Sequence, residues 1–228
     1  MNQRILSIYI GNNSKELLGC ENDAIMFYNL HESQNTNQTS KKYLLIGKDV
    51  TFNNLEKIFK NNKTTQNLLI YFSGHSSYGG NLQFNDNIIN PLKIYESINM
   101  NFTNDINIYF ILDCCYSGSF PLVKNFQKIK NVYILASCKE NQKSLESIVN
   151  YIPENSILIK PKMYKKKYSI INDNNEENLL VVGAFTFNLI KLIKEGNLVD
   201  INSWFTIENE QIWKKLEKII NQKITIIK

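Results

Sequence analysis

Apolar residues fall along the chain in two rhythms, continuous short runs and helical spacing. The runs Ile5 to Ile10, Tyr43 to Ile46, Leu68 to Phe72, Ile106 to Leu112 and Asn131 to Ala136 read as strands. After the first run, helical spacing crosses Ala24, Phe27, Tyr28 and His31, entered through Asn22 and Asp23 as caps. Thr51 begins a second helix with Leu55, Ile58 and Phe59 on one face, and Pro91 to Ile98 supplies a crossover helix. Gly183 to Ile193 reads as a further helix. Ile207 to Ile220 places Ile212, Leu216 and Ile219 at helical spacing, a stripe that packs on a sheet. Continuous apolar strands bounded by helices predict an α/β fold, its mostly parallel central sheet covered by helices on both faces.

Two polar stretches interrupt this pattern. Glu32 to Ser40 reads as a loop. Pro153 to Asn178, Lys-rich and then Asn/Glu-rich, reads as a long exposed loop with a short strand at Tyr168 to Ile171. No internal repeat and no dividing linker stands out, so residues 1–228 read as a single domain.

Composition narrows the class. The chain has 228 residues, 43% hydrophobic and 21% charged, which excludes global disorder and fibrous classes. Four Cys without a CxxC pair are too few for a disulfide scaffold, a zinc ribbon or a thioredoxin motif. The N-terminus lacks a signal-peptide pattern and no run reaches the roughly 18 apolar residues of a membrane span. The expectation is a cytoplasmic protein that does not engage membranes. The net charge of +5 is spread over scattered lysines without interleaved aromatics, which argues against nucleic-acid binding. Nine Gly and no GxGxxG or GxxxxGK[ST] loop argue against a nucleotide-binding site.

Chemistry concentrates at two strand ends. One strand stops at Ser73-Gly74-His75, the other at Asp113-Cys114-Cys115-Tyr116-Ser117-Gly118. Ligands of open α/β sheets bind at the carboxyl ends of the strands. If these two strands are parallel neighbours, His75 and Cys115 emerge side by side. A cysteine nucleophile needs a base to take its proton, and histidine is suited to that work. The chain has only two His, and the other, His31, falls within or just past the first helix.

These two segments resemble the signatures of the caspase-like cysteine peptidases, with metacaspases the nearest likeness. Leu18-Gly19-Cys20-Glu21-Asn22-Asp23-Ala24, Ala136-Ser137-Cys138-Lys139-Glu140-Asn141-Gln142 and Gly183-Ala184-Phe185-Thr186-Phe187 agree with further metacaspase segments in the same order. The resemblance spans roughly residues 4 to 220.

The resemblance implies a caspase-like fold and peptide hydrolysis through a thioester acyl-enzyme. It makes Cys115 the nucleophile, His75 the base or acid, and the backbone N–H groups of Ser76 and Cys115 the oxyanion hole. Asp23, Ser73 and Asp113 match the residues that hold a Lys or Arg side chain at P1, the residue whose carbonyl is attacked. Protein or peptide substrates with Lys or Arg at P1 are then the expected partners, and the enzyme is expected to be a monomer. Arg4 is the only arginine, so an Asp-binding pocket built on Arg is not expected. Cys114 becomes a packed neighbour, while Cys20 and Cys138 are structural. The chain departs from the family at Ser76, where Gly is usual, and at Tyr116, where His is usual. Only Asp86, Glu96 and Asp105 lie between His75 and Asp113, and Ser117 to Lys130 holds no acid, so neither a cofactor nor calcium activation is expected. The lysines from Lys160 to Lys167 would suit autoprocessing of the long loop by a Lys/Arg-specific enzyme. The alternative reading is a catalytically silent caspase-like scaffold that binds protein partners.

Overall fold

The computed structural model of the chain describes residues 5–34, 41–121, 126–150, 179–196, 198, 204 and 209–227. The central sheet has six strands in the order β11-β8-β7-β3-β1-β2. They are β1 (Ile5–Gly11), β2 (Lys41–Ile46), β3 (Asn67–Gly74), β7 (Ile106–Cys114), β8 (Ile129–Ala136) and β11 (Thr225–Ile227). All neighbours are parallel except β11, which runs antiparallel to β8 at the edge. Parallel pairing demands crossovers, and three of them carry helices, α1 (Cys20–Gln34), α2 (Phe52–Lys60) and α3 (Pro91–Asn101); α4 (Ala184–Lys194) and α5 (Glu210–Ile220) come later in the chain, ahead of the antiparallel edge strand β11.

Strand alternation divides the core in two. Leu6, Ile8, Ile10, Leu68, Ile70, Phe72, Ile108, Phe110 and Leu112 face α2 and α3. Tyr9, Leu69, Tyr71, Tyr109 and Ile111 face α1, α4 and α5. The α/β expectation therefore holds, with helices on both faces of a mostly parallel sheet, a caspase-like arrangement.

Helix starts follow from local capping. Thr51 is the N-cap of α2 and its Oγ1 accepts from Asn54 N at 3.1 Å. Asn90 caps α3 through Leu92 N, with Pro91 as the first helical residue. The start of α1 differs from the expectation. Asn22 and Asp23 lie inside the helix, which begins at Cys20. Asp23 N already donates to Gly19 O at 2.9 Å, and Glu21 N is capped from outside by Asn13 Oδ1 at 2.8 Å. The stripe on α5 is also rotated. Trp213, Leu216 and Ile220 are buried, and Ile219 is 53% exposed.

Several short strands were not anticipated. β4 (Ser76–Ser77), β5 (Asn81–Gln83) and β6 (Ile88–Ile89) form a small antiparallel sheet directly after His75. β9 (Glu146–Asn150) pairs antiparallel with β10 (Leu179–Gly183), with Glu146 opposite Gly183. The segment 153–178, with its suggested strand and its Lys160 to Lys167 processing site, lies outside the described residues.

Candidate active site

The strand order places the chemistry. β1 is followed by β2 on one side and β3 on the other, so the chain reverses direction across the sheet between β1 and β3. The carboxyl ends of strands flanking such a reversal form a crevice. β3 and β7 are parallel neighbours in the register Ser73 to Asp113 and Gly74 to Cys114. His75 and Cys115 are the next residues of the two strands, whose backbones run about 4.8 Å apart. The structure thus brings the two residues to one edge of the sheet.

A cleft opens there, lined by Leu17, Cys20, Asp23, Ser73, Gly74, Asp113, Cys114, Cys115, Ser144, Leu145, Glu146 and Gly183. All three residues expected to hold a basic side chain, Asp23, Ser73 and Asp113, line it together with Cys115. Cys20, expected to be purely structural, is buried yet lines the cleft as well. Cys138 is buried behind it. His75 is not among the lining residues.

The two aspartates are buried, at 1% and 5% exposure, so each needs donors to both oxygens. Asp23 Oδ1 accepts from Gly183 N at 2.7 Å and Oδ2 from Ser73 Oγ at 2.8 Å. Asp113 Oδ1 accepts from Ser144 Oγ. Its Oδ2 accepts from Thr186 Oγ1 at 2.6 Å and Thr186 N at 3.2 Å. Thr186 Oγ1 spends its proton on Asp113, so it accepts from Tyr71 OH at 2.6 Å. Burial, followed by the charge of Asp113, pushes the Asp23 carboxyl well above the usual carboxylate range. Burial likewise raises Asp113, against the pull of the Ser144 and Thr186 donors.

A third acid completes the set. Glu146 Oε1 accepts from Gly19 N at 2.6 Å, which ties β9 to the loop before α1. Sequence reasoning missed Glu146. Its segment lacks a motif, and only its pairing beside Gly183 brings it to the cleft. Among the described residues the ion pairs are Lys214–Glu210 and Lys223–Glu217, so none of the three cleft acids has a cationic partner. No group of three or more His, Cys, Asp or Glu among the described residues is arranged to hold a metal ion.

Gly183 is required by this crowding. A Cβ there would lie 2.2 Å from Asp113 Oδ2 and 2.9 Å from Asp23 Oδ2. Gly183→Ala is expected to force the carboxylates aside and to lower both the thermal midpoint and any cleavage that depends on the cleft, by about tenfold or more. Paired melting and kinetic measurements on the variant check this.

Cys115 is half-buried at the turn after β7. Burial pushes its thiol up, while a Ser144 backbone N–H and the Lys143 charge pull it down. The following residue, Tyr116, is left-handed at φ 55°, and its N–H donates to Gln142 O at 2.8 Å. Ser76 Oγ donates to the Cys115 carbonyl, so the residue that stands where the resemblance leads one to expect Gly clamps the turn that carries Cys115. His75 is held at its carbonyl by Gln83 N at 3.0 Å, and its Nε2 lies 2.8 Å from Ser14 Oγ. Ser14 also escaped the sequence reading. Nothing in its local pattern marks it, and it meets His75 only because β1 and β3 are neighbours.

Residues 20–179 match the Peptidase C13 family model. No curated protein sequence matches the chain. Among solved structures, protein GSU0716 from Geobacter sulfurreducens is similar over 98% of this chain and 92% of its own, with 13% identity and a TM-score of 0.59. A likeness at that identity speaks to the fold alone.

Proposed function

The chain belongs to the Peptidase C13 family of cysteine peptidases, and from that premise we propose that it is an endopeptidase that cleaves after Lys or Arg with a Cys115–His75 dyad. The observation that carries the specificity is the cleft itself. Asp23, Asp113 and Glu146 converge beside Cys115 with no described cation among them. An incoming guanidinium or ammonium would supply the missing charge, and a guanidinium's fork suits paired carboxylates.

The chemistry then follows from position. The thiol of Cys115 passes its proton to His75 as Sγ attacks the scissile carbonyl carbon. The carbonyl oxygen becomes an oxyanion, held by the N–H groups of Cys115 and Ser76. His75 returns the proton to the leaving amine as the C–N bond breaks, which leaves a thioester. Water, deprotonated by His75, attacks the thioester and restores the thiol.

The test is cleavage of fluorogenic peptides that differ only at P1, carrying Arg, Lys, Asp or an uncharged residue, with and without calcium. Arg and Lys are expected to exceed the others by about a hundredfold in kcat/KM, in the range that loss of a buried charge partner produces. Calcium is expected to change the rates little. Preference for Asp or for an uncharged P1 would overturn the pocket assignment.

A further inference from the structure

Resting on the Lys/Arg reading of the cleft, we infer that Thr186, backed by Tyr71, is a positioning residue for Asp113 and sets how strongly the cleft selects a cationic P1 side chain. Thr186 lies in the first turn of α4, whose N-cap is Gly183. A helical threonine can turn its hydroxyl back onto its own helix, toward a carbonyl three or four residues earlier. Thr186 Oγ1 instead donates outward to Asp113 Oδ2 at 2.6 Å, and the Thr186 N–H donates to the same oxygen at 3.2 Å. Ser144 Oγ holds Oδ1 from the segment after β8, so the carboxyl group is fixed from two separate elements.

Tyr71 stands behind Thr186. Its ring is fully buried on β3 and stacks on Phe27 with centroids 4.8 Å apart, which holds its hydroxyl against Thr186 Oγ1. The proton of Thr186 is committed to a carboxylate, so Tyr71 supplies the other hydrogen of that pair and stops the threonine hydroxyl from turning away. Each hydroxyl in the chain from Tyr71 through Thr186 to Asp113 polarises the next, an effect that grows where water is excluded. The N-cap of the same helix serves the second aspartate, because Gly183 N donates to Asp23 Oδ1. The positive end of α4 is therefore turned to both carboxylates.

The other neighbours oppose a charge on Asp113. Cys20 and Asp23 act on it from α1, Tyr71 from β3, and Cys114 and Cys115 from its own strand and turn. Glu146 on β9 adds its charge to Asp23 and Cys20, and the Lys143 charge acts on Cys115. Burial raises Asp113, and the Ser144 hydroxyl, then the Thr186 hydroxyl and N–H, hold it down. Without the Thr186 hydroxyl the carboxyl group is less ionised and freer to turn. A cationic side chain then meets a weaker partner, while an uncharged one loses nothing.

The experiment compares Thr186→Val, Thr186→Ser and the double variant Thr186→Val with Tyr71→Phe against the unaltered chain. Cleavage of an Arg-P1 and an uncharged-P1 peptide is followed across pH, and melting midpoints are taken at pH 5 and pH 8. Thr186→Val is expected to lower kcat/KM for the Arg peptide about tenfold, mainly through KM, with the uncharged peptide within about twofold. The acid limb of the Arg profile is expected to move to higher pH, and Thr186→Ser to restore most of the loss. Thr186→Val also strands the buried Tyr71 hydroxyl, which lowers the melting midpoint. The double variant is expected to recover that midpoint at pH 5 and still lack the Arg preference, which separates the hold on Asp113 from a purely structural role. A full Arg preference in the double variant, an equal loss on both peptides, or a loss that Thr186→Ser fails to recover would each overturn the inference. The melting arm needs no cleavage. A carboxyl raised further by the lost hydroxyl makes stability fall more steeply from pH 5 to pH 8 in the double variant than in the unaltered chain. If the unaltered chain shows no preference for Arg yet that steeper fall appears, the Lys/Arg reading fails while the hold of Thr186 on Asp113 stands. An unchanged slope in such a chain sinks both.

Discussion

Cys115→Ala is expected to abolish peptide cleavage, with kcat lowered about 10⁴-fold or more. In the proposed mechanism this sulfur forms the acyl bond, and the other three cysteines are poorly placed to replace it. Cys20, Cys114 and Cys138 are buried, and only Cys115 is partly open. Burial raises the thiols of Cys20 and Cys114 well above the ordinary range, so neither supplies a thiolate near neutral pH. Cys115 is itself raised by burial, but the Ser144 N–H and Lys143 offset part of the shift. A raised thiol rests protonated near neutrality, so attack in the proposed mechanism needs His75 to take the proton. His75→Ala is therefore expected to cost nearly as much, and the double variant little more than either single one, because the two residues act as a unit. The folded state is expected to tolerate Cys115→Ala, since a half-exposed side chain leaves no sealed cavity. Kinetics and melting midpoints on the three variants check this. Residual Cys115→Ala turnover within a hundredfold of the original would remove Cys115 from the role of nucleophile.

The parts of this site that were legible from sequence are those carried by strand ends. A continuous apolar run followed by small and reactive residues marks where a buried parallel strand reaches the crevice. That is why His75, Cys115, Ser73 and Asp113 could be placed before any coordinates. The register that joins Ser73 to Asp113 and Gly74 to Cys114 then follows from adjacency of β3 and β7. What stayed hidden depends on contacts between distant segments. Glu146 reaches the cleft because β9 pairs with β10, an interaction across at least 29 residues of chain. Asn13 caps α1 by an eight-residue reach, so the helix starts at Cys20 and Asp23 lies within it rather than at its cap. On α5 the pattern favoured Ile219 over Trp213, because hydropathy alone does not say which edge of an amphipathic stripe the sheet will cover. Trp213 Nε1 settles that choice by donating to Trp204 O at 3.0 Å.

Asp23→Asn is expected to make the protein more stable and the enzyme worse. Both aspartates hold protons more tightly folded than unfolded, Asp23 because of burial and then the charge of Asp113, Asp113 because of burial. A carboxyl whose folded pKa is raised binds more protons in the native state. Stability then falls as pH rises from the ordinary carboxylate range through the raised folded values. Asparagine cannot ionise, so the variant escapes that loss. Its shape keeps the local bonds, because Oδ1 still accepts from Gly183 N, and Nδ2 can donate to Ser73 Oγ once that hydroxyl turns. A gain of about 1 kcal/mol, or roughly 2–4 °C in the melting midpoint, is expected at pH 8 and a smaller one at pH 5. In the proposed pocket the same change removes one of three acids set to face a cationic P1 side chain, and kcat/KM for an Arg-P1 peptide is expected to drop about a hundredfold. An uncharged P1 peptide gains nothing from Asp23, so its rate is expected to hold and the Arg advantage to shrink. Two like charges buried side by side oppose folding, and a site that must capture a cation is a physical reason to retain them. Melting curves at the two pH values, set beside kinetics on the two peptides, decide the matter. An Asp23→Asn protein that melts lower, or that keeps its full preference for Arg, would show that Asp23 serves the fold rather than the substrate.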